Sequence, residues 1–338
     1  MAYPRPCTGI AWPHPPPAPE SRQSPVDISV IVCTHNPHPG RLRPTLAGLR
    51  AQTLPVAQWE TILVDNASQP AVTFAEFFDA APANVRGARE AQLGLNAARR
   101  HGLTEAGGKL IILVDDDNVL AADYLAETLR LFAALPRVGA MGGKSTPEFD
   151  VAPPAWAREF FPLLALRDLG DATLISQGIR PPGAVRNQYP PFAPIGAGMA
   201  LRREAVARWL AAGADGLPAD RRGNELTSGG DNDIIFSVLE SGWEVAYAPK
   251  LRLTHLISAA RLRPDYLARL NRGIQQSWMQ VLYRHEASPW PPLTRTGAML
   301  RQVKAWFTCR AWRGAAEQIR WQGIRGHFAG RVPRPGDG

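Results

Sequence analysis

The segment Leu110-Ile-Ile-Leu-Val-Asp-Asp-Asp117 decides the fold, because five apolar residues lead directly into three carboxylates. A short apolar run of this kind is typical of a buried strand. Two further runs, Ile28–Val32 and Thr61–Val64, have the same character, and the second ends in Asp65-Asn66. The helical patterns that follow the three strands cover about residues 41–52, 89–104 and 122–135, and another strand is expected over 138–141. This alternation predicts an α/β fold with a largely parallel sheet flanked by helices.

Acidic side chains follow two of these strands at their carboxyl ends. In open α/β sheets that edge binds ligands, so the acids after the strands predict a site there. Adjacent carboxylates repel one another unless a cation compensates, and Mg²⁺ or Mn²⁺ takes such oxygen ligands together with substrate phosphates. The alternative is a solvated acidic turn that caps a helix beginning near Asp123.

The composition limits the classes of protein. The chain has 338 residues, 45% apolar and 20% charged, which suits one large domain or two modest ones and excludes disorder throughout. No stretch approaches ~18 uninterrupted apolar residues, so no conventional membrane span is expected. Residues 261–338 hold 14 Lys/Arg against 4 Asp/Glu, whereas residues 1–260 hold 24 against 26. Because the acidic sheet edge has the wrong sign for a phosphate backbone, we expect no nucleic-acid partner.

The two ends of the chain differ in character from its middle. Residues 1–26 are dense in proline and lack the apolar core of a secretory signal, so we expect a disordered leader there. Three widely spaced cysteines (Cys7, Cys33 and Cys309) fit a reducing compartment, and we expect a cytoplasmic protein.

The second half of the chain carries further candidates. In Ser228-Gly-Gly-Asp-Asn-Asp233, Asp231 opens a helix and is suited to act as a general base, or else simply as a helix cap. His255 ends an apolar run and is either a metal ligand beside a carboxylate or an ordinary core histidine. Gly196 and Gly198 make room for a sugar or for tight packing. Residues 145–195 hold nine prolines among aromatic side chains, which is typical of a lid or binding loop.

Together these segments resemble family 2 glycosyltransferases, the inverting nucleotide-sugar enzymes of GT-A fold. The similar segments occur in the family's order between about Asp27 and His255: Val30–Asn36, Ile62–Ser68, Gly94–Arg99, Leu113–Asp117, Gly196–Arg203 and Gly230–Asp233. Two positions depart from the family's usual pattern, since Gly230 precedes Asp231 where Glu is common and Arg100 follows Arg99 where Asn is common.

The resemblance implies a domain organisation. We expect a GT-A, Rossmann-like domain over residues 27–260, with a nucleotide-sugar-binding half over 27–143 and an acceptor and catalytic half over 144–260. The leader over 1–26 precedes it, and a helical, basic C-terminal extension over 261–338 follows it.

The resemblance also implies roles for single residues. Asp231 corresponds to the catalytic base. Asp117 and His255 correspond to ligands of a Mn²⁺ or Mg²⁺ ion. The residues implied in nucleotide-sugar binding are Thr34, Asn36, Asp65, Arg99, Asp115 and Asp116. The residues expected to contact the acceptor are Gly196, Gly198, Asp233 and Trp156.

The predicted activity is metal-dependent, inverting transfer of a sugar from a nucleoside-diphosphate sugar, expected to be UDP-linked. The expected acceptor is a hydroxyl of a glycan, a lipid-linked or another molecule, as in cell-surface polysaccharide synthesis. One alternative, a nucleotidyltransferase, needs a glycine-rich basic loop that Cys33–Pro37 lacks. The other, a non-catalytic nucleotide-sugar-binding protein, is disfavoured because all of the key acids are present.

The C-terminal extension leaves two interpretations open. Residues 295–334 hold nine Lys/Arg and one Glu, interspersed with tryptophans at roughly helical intervals. This pattern fits an interfacial helix on an anionic membrane, which would bring the protein to the inner face of the cell membrane. It equally fits a helix that packs its aromatic side onto the catalytic domain or another subunit.

Overall fold

A computed structural model describes residues 26–213 and 226–333. Apart from Val26, the predicted leader lies outside the described residues. Nine strands of the described chain form one sheet: β1 Ile28–Thr34, β2 Trp59–Asn66, β3 Val85–Glu90, β4 Leu110–Asp115, β5 Asn118–Leu120, β6 Val138–Phe149, β7 Leu174–Ile175, β8 Met199–Arg202 and β9 Glu244–Ile257.

Helices cover both faces of this sheet and continue beyond it. The α-helices of the described residues are α1 Pro39–Arg50, α2 Leu95–Glu105, α3 Tyr124–Ala134, α4 Arg203–Ala211, α5 Gly230–Glu240, α6 Pro264–Arg284, α7 Arg295–Thr308 and α8 Ala315–Gly330. Between β6 and β8 the regular structure is limited to the two-residue β7 and a 3-10 helical segment over Ala155–Leu164.

The strand order is β3-β2-β1-β4-β8-β6-β9-β5, with β7 beside β9. The four strands at one end of this order, β3, β2, β1 and β4, are parallel to one another. β8 runs antiparallel to both of its neighbours, β5 and β7 run antiparallel to β9, and β6 and β9 are parallel. The predicted α/β fold is confirmed, with the parallel arrangement concentrated in the half that carries β1 to β4.

The core lies on both sides of the sheet because successive residues of a strand point to opposite faces. In β1, Val30 and Val32 face the layer of α1 and α3, whereas Ile31 and Cys33 face the layer of α2, α4 and α5. Burial on both faces explains why β1 and β4 read as continuous apolar runs.

Several boundaries differ from the sequence-based expectation. The helix expected over 89–104 spans Leu95–Glu105, because residues 89 and 90 belong to β3. The strand expected over 138–141 extends to Phe149, and β9 extends to Ile257. These extensions pair with each other. The pairing stabilises two long, partly polar strands that have no long apolar run in the sequence.

A third apolar cluster lies between α6, α8 and the Ala155–Leu164 segment. Ile319 of α8 is fully buried there, and its carbonyl accepts a hydrogen bond from Asn271 Nδ2 of α6 at 3.0 Å. Arg320 of α8 forms an ion pair with Glu159 at 2.5 Å. The last helix therefore packs into the body of the protein. Within the described part of the chain, no helix is long and apolar enough to cross a membrane.

Candidate active site

The carboxyl ends of β1, β2 and β4 bring several predicted residues together. Thr34 at the end of β1 pairs in register with Asp65 of β2, and Cys33 pairs with Asp115 of β4. Beyond β4 the chain turns, and the Thr34 hydroxyl donates a hydrogen bond to Oδ2 of Asp116. The parallel register thus places the acids of two strands at one edge, as the sequence predicts.

A cavity of about 220 Å³ opens at this edge. Thr34, Asn66 and the three consecutive acids Asp115–Asp117 line its polar side, and Leu93 and Leu95 lie on its apolar side. Asn66 supports the apolar side, because its Oδ1 accepts a hydrogen bond from the Gly94 amide at 2.8 Å. A cavity with a polar and an apolar side suits a ligand that joins a planar ring to charged groups.

Asp65 and Asn36 are the neighbours in sequence of Asn66 and His35, which line this cavity, but they do not line it themselves. The two oxygens of the buried Asp65 carboxylate accept backbone hydrogen bonds from Ser68 at 3.1 Å and from Val72 at 3.2 Å. Asn36 holds the same loop through its backbone N–H, which donates a hydrogen bond to Ser68 Oγ at 2.8 Å. The structure therefore assigns both residues a part in forming the loop, and their direct contact with a base stays a prediction.

The acids inside the cavity repel one another. Burial of Asp116, together with the negative charge of Asp117, raises the pKa of the Asp116 carboxyl to about 7, although the hydrogen bond from Thr34 acts in the opposite direction. A cation close to these carboxylates would favour their charged forms. The electrostatics of this edge therefore favour a positively charged ligand or a bound metal.

Asp117 and His255 meet because β5 and β9 are antiparallel, with Asn118 opposite His255. Oδ1 of Asp117 lies 3.2 Å from Nε2 of His255, and both side chains are almost fully buried. Arg261 approaches both of them: its Nη2 lies 2.7 Å from Asp117 Oδ2, and its Nη1 lies 3.0 Å from His255 Nε2. A guanidinium thus holds together the two residues that the sequence predicts as metal ligands.

The donor atoms of this pair fit a divalent cation. The N–H groups of Arg261 can only donate, so their contact with His255 requires a lone pair on Nε2 and puts the ring proton on Nδ1. Nδ1 is buried with no hydrogen-bond partner in the structure. With Arg261 moved away from Nε2, this nitrogen and Asp117 Oδ1 would present lone pairs that are 3.2 Å apart, close to the ~3 Å between adjacent ligands of an octahedral ion with ~2.1 Å bonds.

The protein would supply only part of the coordination sphere. Among residues 26–213 and 226–333, no group of three or more His, Cys, Asp or Glu side chains is arranged to hold a metal. Mg²⁺ commonly binds through one or two protein ligands and completes its sphere with water and substrate phosphates. Asp117 and His255 match that smaller requirement.

Asp231 lies at the start of α5, where the sequence predicts a helix N-terminus. Its Oδ2 accepts a hydrogen bond from the Gly196 amide at 3.0 Å, and its Oδ1 accepts one from the Asn232 amide at 3.0 Å. Backbone donors therefore fix the carboxylate while leaving it half-buried rather than enclosed.

Arg99 connects this carboxylate to the strand-end acids. The Arg99 side chain is buried, and its Nη2 lies 3.7 Å from Asp115 Oδ1. A Cβ atom added to Gly196 would lie 2.5 Å from Arg99 Nη2 and 3.4 Å from Asp231 Oδ2. Arg99 and Asp231 therefore flank the same glycine, which explains why a residue without a side chain stands at position 196.

Three residues near these groups do not belong to the sequence-based set. Arg261 lines the cavity, and the half-buried Arg167 and Tyr189 lie near Asp231. Burial raises the pKa of Tyr189, and the charge of Asp231 raises it further. Burial lowers the pKa of Arg167, while Tyr189 and Asp231 oppose that change. Tyr189 and Arg167 lie in the proline-rich segment, and that segment was the only sequence feature that pointed to them. No sequence feature pointed to Arg261.

Three residues expected at the acceptor site have other contacts in the structure. Asp233 is buried and accepts hydrogen bonds from Trp209 Nε1 at 2.8 Å and from His285 Nε2 at 2.9 Å. Gly198 adopts a positive φ of 70°, and its carbonyl accepts a hydrogen bond from the Tyr124 hydroxyl. Trp156 belongs to the third apolar cluster beside α6. The structure therefore brings only Gly196 of the four expected acceptor residues together with Asp231.

A family model described as "Glycosyl transferase family 2" matches residues 29–210. No curated protein matches the sequence. Among solved structures, a crystal structure of S. aureus TarS, residues 1–349, is similar at a TM-score of 0.47 with 12% sequence identity, covering 90% of each chain. The family match covers more than half of the chain, so this protein belongs to glycosyl transferase family 2 and is a glycosyltransferase.

Proposed function

We propose that this enzyme transfers a sugar from a nucleoside-diphosphate sugar, which we expect to be UDP-linked, to an acceptor hydroxyl. The transfer inverts the configuration at the anomeric carbon. The observation that carries the proposal is the shared position of Arg99 and Asp231 at Gly196. Through Arg99, which lies near Asp115, this arrangement connects the acid-lined cavity to the Asp231 carboxylate, the group that would accept the proton.

The cavity supports binding of the donor. Its apolar side at Leu93 and Leu95 suits the face of a base, and its polar side leads to Asp115–Asp117. Arg261 lines the same cavity and offers a guanidinium, which is well suited to phosphate oxygens. In this proposal Thr34, Asp115 and Asp116 orient the nucleotide, while Asp65 and Asn36 hold the loop that surrounds it.

Asp117 and His255 would hold Mn²⁺ or Mg²⁺. When bound, such an ion stabilises the negative charge that develops on the departing diphosphate. The buried Arg99, near Asp115, adds positive charge on the side that faces Gly196.

Asp231 acts as the base in this proposal. The acceptor hydroxyl attacks the anomeric carbon from the face opposite the leaving diphosphate, and its proton passes to the carboxylate. Hydrogen bonds from the amides of Gly196 and Asn232 hold that carboxylate in a fixed orientation. Residues 150–198 connect β6 to β8 and include Gly196, so they are suited to bind the acceptor and to keep out water, which competes as nucleophile.

For the acceptor, the proposal names a class of molecules. A glycan or a lipid-linked molecule at the cytoplasmic side of the cell membrane, in cell-surface polysaccharide synthesis, fits an enzyme with a basic C-terminal extension.

The variant Asp231→Asn tests the assignment of the base. It should lower sugar transfer about 10²- to 10⁴-fold, because the amide cannot take the proton. Donor binding, measured by calorimetry with a panel of nucleotide sugars, should remain. Asp265→Asn is the matched control, since Asp265 also lies in the first turn of a helix but is exposed. If Asp231→Asn retains full transfer activity, Asp231 is not the base.

Removal of divalent ions tests the metal. Transfer should fall on addition of EDTA and return with Mn²⁺ or Mg²⁺, and Asp117→Asn should need a higher ion concentration for half-maximal activity. Activity that is unchanged in EDTA would remove Asp117 and His255 as metal ligands while leaving the assignment of Asp231 intact.

A further inference from the structure

Helix α7 exposes a continuous set of large apolar side chains. Five residues of α7 and of the turn that follows it, which we call the α7 apolar face, are more than half exposed: Met299 63%, Leu300 69%, Val303 51%, Phe307 63% and Trp312 56%. Burying such side chains is favourable by an amount roughly proportional to their apolar area. A monomer rarely leaves a contiguous patch of this kind in water, which marks an interaction site.

The helix geometry shows that this face points away from the body of the protein. Met299, Val303 and Phe307 follow one another at intervals of four, so they share one side of α7. The buried residues of α7 are Ala298 and Ala305, which lie on the opposite side. A ring contact between Trp306 of α7 and Trp321 of α8, with centroids 4.6 Å apart, fixes the helix on the protein. The packing thus leaves the apolar face outward.

Basic residues surround this face without acidic partners. Residues 287–316 contain no Asp or Glu, and their five basic side chains are all exposed: Arg295, Arg301, Lys304, Arg310 and Arg313. None of the five forms an ion pair with another residue of the described chain. Their charges are therefore available to a partner.

We propose that the α7 apolar face binds the surface of a bilayer that contains anionic phospholipids. Exposed aromatic and aliphatic side chains flanked by Arg and Lys match a helix that lies in the interface, with its apolar side among the acyl chains and its cations near the headgroups. A second copy of this chain fits poorly, because a two-fold interface would set the same five cations against one another. This excess of charge selects an anionic surface.

Flotation with lipid vesicles tests the proposal on the full-length protein. Vesicles of phosphatidylcholine with about one-third phosphatidylglycerol should bind the protein, vesicles of phosphatidylcholine alone should bind it far less, and about 1 M NaCl should weaken binding. The double variant Leu300→Gln/Phe307→Gln should lower the partition coefficient at least about tenfold. The double variant Arg301→Gln/Lys304→Gln should lower it roughly fivefold for each charge removed.

Matched controls use exposed residues far along the chain. Phe78 is 60% exposed, so Phe78→Gln repeats the apolar change elsewhere. Arg158→Gln/Lys250→Gln repeats the charge change at two other exposed positions. Neither should alter vesicle binding. Vesicle binding requires no donor or acceptor, so the outcome is independent of the catalytic assignment.

Three results would overturn the proposal. The first is a wild-type protein that does not bind the anionic vesicles, and the second is a set of α7 variants that bind them as well as the controls do. The third result is self-association in sedimentation experiments that is lost in Leu300→Gln/Phe307→Gln, which would assign the face to a second copy of the chain.

Discussion

Arg261 is the residue on which the electrostatics of the cavity depend. Its guanidinium lies 2.7 Å from Asp117 and 3.0 Å from His255, and it faces a cluster of acids in which the pKa of Asp116 is raised by burial to about 7. Without this cation, the nearly buried Asp117 would lose the positive charge that lies 2.7 Å from its Oδ2, beside two other carboxylates. Arg261 therefore compensates the charge of Asp117, and in the proposed function it also binds the anionic donor.

Replacing Arg261 by Met should have two effects. The free energy of unfolding should fall by about 2 kcal/mol, the usual contribution of a hydrogen bond between charged groups, and the dissociation constant for the donor nucleotide should rise at least about tenfold. Urea titration and calorimetry measure these quantities. Mn²⁺ should restore part of the lost stability, because the lone pairs of Asp117 and His255 are then available to it. Arg263→Met, which removes an exposed ion pair with Asp265, should change neither quantity appreciably. Unchanged donor affinity in Arg261→Met would contradict the role in binding.

At the residue scale, sequence reasoning works where chemistry and local position coincide. Asp115–Asp117 end an apolar run and Asp231 opens a helix, so both could be singled out before the structure was known. Arg261 is one of 14 basic residues after position 260 and meets Asp117 only through the antiparallel pairing of β5 and β9. No local pattern encodes that contact.

The helix that carries Asp231 is held in place by a buried network. His285, just after α6, lies between two carboxylates of α5: its Nε2 is 2.9 Å from Asp233 Oδ1, and its Nδ1 is 2.7 Å from Glu240 Oε1. Its ring also stacks on Phe236, with centroids 4.5 Å apart and an interplanar angle of 8°. Contacts near both ends of α5 fix the helix along its length.

His285→Phe should separate hydrogen bonding from stacking, because it keeps a ring against Phe236 and removes both polar contacts. We expect the free energy of unfolding to fall by about 2 kcal/mol as Asp233 and Glu240 each lose a partner. Transfer activity should fall less than in Asp231→Asn, since His285 acts only on the position of α5. His327→Phe is a suitable control, because His327 contacts Trp290 at a partly exposed position. Equal stability of His285→Phe and wild type in urea would show that the network does not hold α5.

Elements with strong apolar patterns are predictable, and those stabilised by pairing alone are not. β1 and β4 are buried on both faces and read directly from the sequence. β3, with the sequence Val85-Arg-Gly-Ala-Arg-Glu90, lies at the sheet edge, is mostly half-exposed and lacks an apolar run. β8 is only four residues long and was visible in the sequence only as the continuation of a glycine pair.

At the scale of the whole molecule, the C-terminal residues form two parts with different surroundings. α8 packs against α6 and the Ala155–Leu164 segment through Ile319 and Arg320, whereas α7 lies on α8 with its apolar face outward. Part of the helical extension expected after residue 260 thus packs onto the rest of the protein, since α8 completes the third apolar cluster. Charge composition could indicate a special function for this region, but it could not distinguish the buried helix from the exposed one.

A chain that ends after Gly314 should be much less stable than the full-length protein. It lacks α8 and exposes Leu267 and Leu270 of α6, which are buried in the third cluster. We expect a lower melting temperature, faster proteolysis within residues 155–164 and a tendency to aggregate. A chain that ends after Pro333 keeps α8 and serves as the control. If the shorter chain melts at the same temperature as the control, α8 is not part of the folded core.

The chain order of the two sides of the site has an evolutionary consequence. The strand ends that line the cavity all come before residue 118, whereas residues 150–198 connect β6 to β8 and contribute only the two-residue β7 to the sheet. Mutations, insertions and deletions in that segment can therefore accumulate while the register of β1, β2 and β4 is preserved. Descendants of one ancestor can in this way diversify the molecules they modify while inheriting the same activated sugar.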